Sequence, residues 1–194
     1  MISLVVGLGN IGEEYQGTRH NVGFDVLNEI CRRWKLAPRE GDGDFFLVEK
    51  EIGDRIVRLI WPTTFMNNSG LAVVQAVQQF GVTADDVLIV CDEYQLPLGT
   101  MRFRRGGSDG GHKGLSSVIF EMETDAIARL RLGIGPLPAD SDAVAFVLGR
   151  FTEAELKITQ KVLEKGADGV LYSLHNRFEE AMTVYNRNPA PDEA

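Results

Sequence analysis

The run "DVLIVCDE" at residues 86–93 constrains the fold more than any other stretch of this chain. Five apolar residues, Val87–Cys91, follow one another without a polar break and then meet Asp92 and Glu93. A strand with no alternation has no polar face to give to water, so both of its faces must be covered. That places it in the middle of a sheet sandwiched between helices, with the acids expected to end it at Asp92. "SLVVGL" near the start of the chain is a second short apolar run, closed by glycine, and has the same character.

The rest of the pattern supplies what such a sheet needs. Val22, Val26, Leu27, Ile30, Cys31 and Trp34 recur at helical spacing and predict an amphipathic helix over about 21–34. "FFLVEK" and "RIVRLIW" flank Gly53-Asp54 as a hairpin, and "TTFMNNSG" follows as a loop. Leu71, Val74, Val77 and Phe80 mark a helix that Gly81 closes. "GTMRFRR" alternates, as an outer strand does. The glycine-rich loop 106–111 leads into a helix near 113–121, and "ARLRLGIG" is a further strand. Thr152 and Glu155 spell a capping box ahead of a helix carrying Leu156, Thr159, Val162, Leu163, Val170 and Leu171. Phe178, Ala181, Met182 and Tyr185 mark the last helix. These elements predict a single-domain, three-layer α/β/α fold with a twisted mixed sheet over residues 1–187, and a flexible tail at 188–194.

Composition narrows the function classes. At 194 residues, with 44% apolar and 25% charged residues, the chain has the make-up of one ordinary globular domain. No signal-like or membrane-spanning run is present, and neither Cys31 nor Cys91 belongs to a C-x-x-C pair. Both cysteines are expected as buried thiols in a reducing compartment, the cytoplasm. A net charge of −8 excludes indiscriminate coating of nucleic acid. Residues 101–113 nonetheless carry Arg102, Arg104, Arg105 and Lys113 against Asp109 alone. This segment is +3, which leaves −11 for the remainder. A local positive patch on an acidic body suits a specific anionic ligand. A solvated edge strand guarded by arginine accounts for the same charges.

Two motif spellings fail on context. "GLGNIG" satisfies G-x-G-x-x-G, but in a dinucleotide fold the helix starts at the glycines so that its N-terminus meets the pyrophosphate. Here "EEYQGTRHN" intervenes, and Glu29, at the right distance for the ribose acid, falls inside a helix rather than at the end of a strand. "GGSDG" satisfies G-x-S-x-G around Ser108, but the strand before it is basic and no suitable Asp and His follow.

The polar residues at the carboxyl ends of the expected strands are more informative, since α/β sheets bind ligands there. Asn10 follows the first strand, and His20 precedes the first helix. Asn67 and Asn68 follow the hairpin, Asp92 ends the central strand, and His112 follows the basic strand. Together they hold the parts for general-base hydrolysis. A neutral imidazole with a pKa of about 6.5 takes a proton from water, a carboxylate fixes its tautomer, and amides donate to an oxyanion. Two other accounts stay open on these residues: His20 as a cap on the following helix, and His20, His112 and Asp92 as metal ligands.

Taken in order, "GLGNIGEEYQGTRHNVGF", "PTTFMNNSG", "DEYQLPLGTMRFRRGGSDGGHKGL", "RLRLGIG" and "FVLGRF" resemble the signature blocks of the bacterial peptidyl-tRNA hydrolase family, over about residues 3–187. The resemblance implies a monomeric, metal-independent α/β/α enzyme that needs no cofactor. It implies cleavage of the ester between a peptide and the 3′ ribose of tRNA, which recycles prematurely released peptidyl-tRNA. On that resemblance His20 is the base that activates water and Asp92 its supporting carboxylate. Asn10 favours N-blocked substrates. Tyr15, Phe65 and Asn67 line the site for the peptide and the tRNA acceptor end, and Arg104 and Arg131, with Arg102 nearby, grip the tRNA 5′ phosphate.

The chain departs from the family pattern in three places. Lys113 stands where "GGHNGL" has asparagine, and lysine donates but cannot accept a hydrogen bond. Ile11 replaces the proline of "GNPG". "SDAVAFVLG" lacks the usual basic residue and has Asp142, which implies a weaker grip on tRNA. Lys113 is the feature that favours an alternative function, a diverged relative that binds structured RNA or a ribonucleoprotein partner with weak or no hydrolysis. The intact His20, Asp92, Asn10 and Asn67 favour the enzyme.

Overall fold

The computed structural model describes residues 1–186. The expected tail at 188–194 lies outside them. Seven strands form one sheet: β1 (Leu4–Gly7), β2 (Arg39–Glu40), β3 (Phe45–Ile52), β4 (Arg55–Pro62), β5 (Val87–Pro97), β6 (Met101–Arg104) and β7 (Ala128–Gly135), in the order β2-β3-β4-β1-β5-β7-β6. β4, β1, β5 and β7 run parallel, while β3, β2 and β6 join antiparallel at the flanks, so the sheet is mixed as expected. The helices are α1 (Val22–Trp34), α2 (Ser69–Phe80), α3 (Lys113–Met122), α4 (Ala143–Leu148), α5 (Glu153–His175) and α6 (Phe178–Tyr185). None of them is long and apolar enough to cross a membrane.

The uninterrupted apolar run of β5 divides its side chains between two cores. Leu88 and Val90 pack on one face with Val26 and Ile30 of α1, Val162 and Val170 of α5 and Phe178 of α6. Val87, Ile89 and Cys91 pack on the other face with Val73 and Ala76 of α2 and Leu115 and Val118 of α3. Three layers therefore follow directly from a strand that has no polar face. Both cysteines are buried free thiols, and burial pushes Cys31 up to about 11 and Cys91 up to about 12.

Helix ends behave as their residues dictate. Gly81 takes the left-handed conformation at the end of α2, and Thr152 and Glu155 form the capping box of α5. Two expectations need correction. The acids at 92–93 do not end β5, which continues to Pro97, because both carboxylates are buried and find partners in the sheet. The "TTFMNNSG" loop contains a 3₁₀ turn at Met66–Asn68 and the first residues of α2.

β1 leaves the sheet toward α1 on one face, and β4 leaves toward α2 on the other. A crevice opens where neighbouring strands send their connections to opposite faces. Asn10, Met66 and Asp92 all lie at this carboxyl edge.

Candidate active site

Close packing brings the parts of the site together. A Cβ on Gly23 would lie 2.4 Å from the Val90 carbonyl oxygen and 2.5 Å from that of Leu8. Gly23 thus seats the first turn of α1 directly on β1 and β5. Gly7 meets Gly23 and Leu27 in the same way, and Gly9 lies against the Phe24 ring. Several of the glycines in and around the G-x-G-x-x-G spelling therefore serve helix-to-strand contact. α1 starts only at Val22, so no helix N-terminus faces the glycine turn as a phosphate site would require.

Asn10 is fixed from three directions. Its backbone exchanges hydrogen bonds with the Asn21 side chain, both at 2.9 Å, and its Oδ1 accepts the Met66 amide at 2.8 Å. The side-chain NH2 is left to face the cleft. His20 sits in a 3₁₀ turn, Arg19–Asn21, directly ahead of α1. Its neighbour Arg19 is buried. Its guanidinium donates to the Arg150 carbonyl and to both oxygens of Glu155, and it stacks over Phe146 and Phe151. This clamps the turn to α4 and α5. His20 does not cap the helix: Asn21 occupies that position and makes no side-chain cap bond.

The His20 side chain turns inward instead. Its Nδ1 lies 2.8 Å from Asp92 Oδ1, and His112 Nε2 lies 2.9 Å from the same oxygen. The two imidazoles stand 4.8 Å apart, and all three residues are buried. Burial alone would raise the Asp92 carboxyl. The charge of His112 and His20 and their hydrogen bonds outweigh it and hold the group well below the usual carboxylate range. With Asp92 ionised, His20 donates from Nδ1 and keeps a lone pair on Nε2.

The ligand atoms of His20, Asp92 and His112 all lie within 4.8 Å of one another, which is metal-like spacing. The donor set does not suit a metal, however. The Leu115 amide donates to His112 Nδ1 at 3.1 Å, so the ring's proton is on Nε2, pointing at Asp92. A metal there would need a lone pair on that nitrogen.

These groups open onto a cleft of about 300 Å³. Tyr15, Phe65, Asn67 and Lys113, expected at the site, all line it beside Asn10, His20 and Asp92. Phe65 is 60% exposed, so its ring is available to a ligand rather than packed in a core. Lys113 is exposed at the first residue of α3. The three arginines stand outside the cleft. Arg131 forms an ion pair with buried Glu93 beneath Gly110, Arg102 is its partner across the β6–β7 pair, and Arg104 is exposed on the same edge strand.

Three contributions were not legible in the sequence. Arg129, 1% exposed, donates to the carbonyls of Gly107, Ser108, Asp125 and Ile127 and so pins the glycine-rich loop. The carbonyl, not the hydroxyl, is what Ser108 brings to that arrangement, and its exposed side chain does not line the cleft. Val144, Val147 and Leu148 of α4 form an apolar wall, on a helix whose N-cap Asp142 accepts the Ala145 amide. The "D-A-V-A" start was the available signal. His112 carries the contacts to both Asp92 and α3.

A mixed α/β sheet with a carboxylate-held imidazole at its switch-point crevice, and a free amide beside it, defines a hydrolase of the general-base type. The particular family follows from comparison with known proteins. The family model for peptidyl-tRNA hydrolase matches residues 4–193. The peptidyl-tRNA hydrolase of Chlorobaculum parvum is 41% identical over 191 residues, covering 97% of this chain and 100% of that protein. That of Kosmotoga olearia is 40% identical over 184 residues, covering 93% and 95%. The crystal structure of peptidyl-tRNA hydrolase from Acinetobacter baumannii superposes with a TM-score of 0.88 at 30% identity, covering 94% of this chain and 93% of that one. The chain belongs to the peptidyl-tRNA hydrolase family.

Proposed function

We propose that this chain hydrolyses the ester between an N-blocked peptide and the 3′ ribose of tRNA, as one domain over residues 1–187, monomeric and acting in the cytoplasm. The observation that carries the mechanism is the His20–Asp92 contact, which leaves His20 Nε2 bare toward the cleft. Nε2 takes a proton from water as the oxygen attacks the ester carbonyl. The carbonyl π pair moves onto oxygen, and the NH2 groups of Asn10 and Asn67 or the Lys113 ammonium donate to it. Collapse of the tetrahedral intermediate breaks the bond to the ribose 3′ oxygen, which takes the proton back from His20. Asp92 stabilises the imidazolium formed in between.

Substrate placement follows the chemistry of the walls. The apolar face of α4 and the Phe65 ring suit peptide side chains, and Asn10 reads the blocked amide. Arg104, with Arg102 and Arg131 behind it, grips phosphate of the tRNA. The comparisons give no support to a diverged RNA binder without hydrolysis.

The test is cleavage of N-acetyl-aminoacyl-tRNA beside the unblocked aminoacyl-tRNA, with wild type and Ser108→Ala. Cleavage confined to the blocked substrate and indifferent to Ser108→Ala is expected. Equal cleavage of both substrates, or loss of activity on Ser108→Ala, overturns the assignment.

A further inference from the structure

His112 has no freedom of tautomer. The Leu115 amide, one of the unpaired N–H groups at the start of α3, donates to its Nδ1 at 3.1 Å. An amide N–H can only donate, so Nδ1 holds the lone pair and Nε2 the proton. That proton points at Asp92 Oδ1, 2.9 Å away, the same oxygen that His20 Nδ1 reaches at 2.8 Å. The helix thus presets a neutral donor against the carboxylate that orients the proposed base.

We propose that His112 is a positioning residue that sets the pH at which His20 becomes a free base, by sharing Asp92 Oδ1 with it. The inference rests on the reading of His20 as general base. Two donors on one oxygen divide its negative charge, and a carboxylate accepting more hydrogen bonds is a weaker base. With His112 in place, Asp92 holds the His20 ring but stabilises its protonated form less than an undivided carboxylate would. Without His112, the whole charge falls on His20 and the imidazolium persists to higher pH. Burial of Asp92 and His112 strengthens the effect, since water cannot screen it.

The other charged or titratable groups around the dyad differ in kind. Lys113 lines the same cleft at the start of α3 and opposes a positive charge on His20. Glu93, next along β5, is paired with Arg131 of β7. Tyr15 and Tyr94 line the cleft from the first loop and from β5. The described hydrogen bonds to the Asp92 side chain come from the two imidazoles.

The test separates the cap from the donor. Asparagine is among the best helix N-caps but is too short to reach Asp92, so His112→Asn keeps the first and loses the second. His112→Ala loses both. The pH dependence of kcat/KM is measured for wild type and both variants, with thermal unfolding alongside. The acid-limb midpoint is expected to rise by about one pH unit in each variant, the shift of a single lost hydrogen bond. Only the alanine variant should lose stability at α3. A role confined to folding would lower the rate equally at every pH, and an unmoved midpoint in a folded His112→Asn protein overturns the proposal. A two-bond ¹⁵N–¹H spectrum of the wild type is the second check. A proton on His112 Nδ1 would overturn the proposal even if neither variant folds. Wild-type activity in His20→Ala would instead remove the general-base mechanism beneath it.

Discussion

Gly23→Ala sets two opposite expectations against each other. In a helix interior, replacing glycine by alanine stabilises by roughly 0.5–1 kcal/mol through propensity. At Gly23 the added Cβ would meet the Val90 oxygen at 2.4 Å, the Leu8 oxygen at 2.5 Å and the Leu8 nitrogen at 2.6 Å. All three are backbone atoms of the sheet and cannot rotate away. Restoring ordinary contact requires the start of α1 to rise by roughly 1 Å. Overpacking of that size costs about 1–3 kcal/mol and outweighs the propensity gain. For a domain of this length each kcal/mol moves Tm by about 2–4 °C, so a fall of about 2–10 °C is expected. The same displacement carries His20, three residues upstream, away from Asp92. Its 2.8 Å contact would open to about 3.8 Å, too long for a hydrogen bond. A misplacement of about 1 Å in a catalytic group costs on the order of 10²-fold in rate. Thermal unfolding and single-turnover cleavage on one preparation test both effects. A variant as stable as wild type, cleaving within about threefold of its rate, would refute the claim that Gly23 seats the site.

Three further outcomes follow from particular residues. Burial raises the Asp25 carboxyl from 3.8 to about 6, so the folded chain holds more protons than the unfolded one between these values. Stability therefore falls as pH rises through that window, by at most about 3 kcal/mol. Asp25→Asn should raise the urea midpoint at pH 7 and leave it unchanged near pH 3, and an equal gain at both would refute this. Arg129→Lys cannot reproduce the guanidinium fork and leaves buried carbonyls unpaired. A loss of about 2–4 kcal/mol by denaturant unfolding, together with reduced cleavage, is expected, and full retention of both would show that the loop does not depend on Arg129. A chelator should leave the cleavage rate unchanged, because His112 offers its proton rather than a lone pair to the cluster. A chelator-sensitive rate restored by added zinc would reverse that conclusion.

Much of the fold was legible because it depends on local pattern. The unbroken apolar run at Val87–Cys91 required two helical layers, and the Thr152–Glu155 pair and Gly81 marked real helix ends. Asp92 and Glu93 looked like the end of a strand because acids usually seek water. Here they are buried against His20 and His112 in one case and Arg131 in the other. Those partners are far away in sequence, and no local pattern announces them. Arg129 was hidden for the same reason: an arginine within "ARLRLGIG" looks like an outward-facing charge until the loop it holds is folded over it. β2, two residues long, carries too little pattern to be found. Of the site, residue types were legible and pairings were not. The sequence contains His20 and Asp92, but their contact joins residues 72 positions apart.

The most direct test of the general-base mechanism is the single-turnover rate of N-acetyl-aminoacyl-tRNA cleavage in wild type, Asp92→Asn and His20→Ala, with folding confirmed for each. Loss of the base should lower the rate by at least about 10²–10⁴-fold, and loss of its carboxylate by a comparable factor. Cleavage by folded His20→Ala within tenfold of wild type would contradict the assignment of His20 as the base.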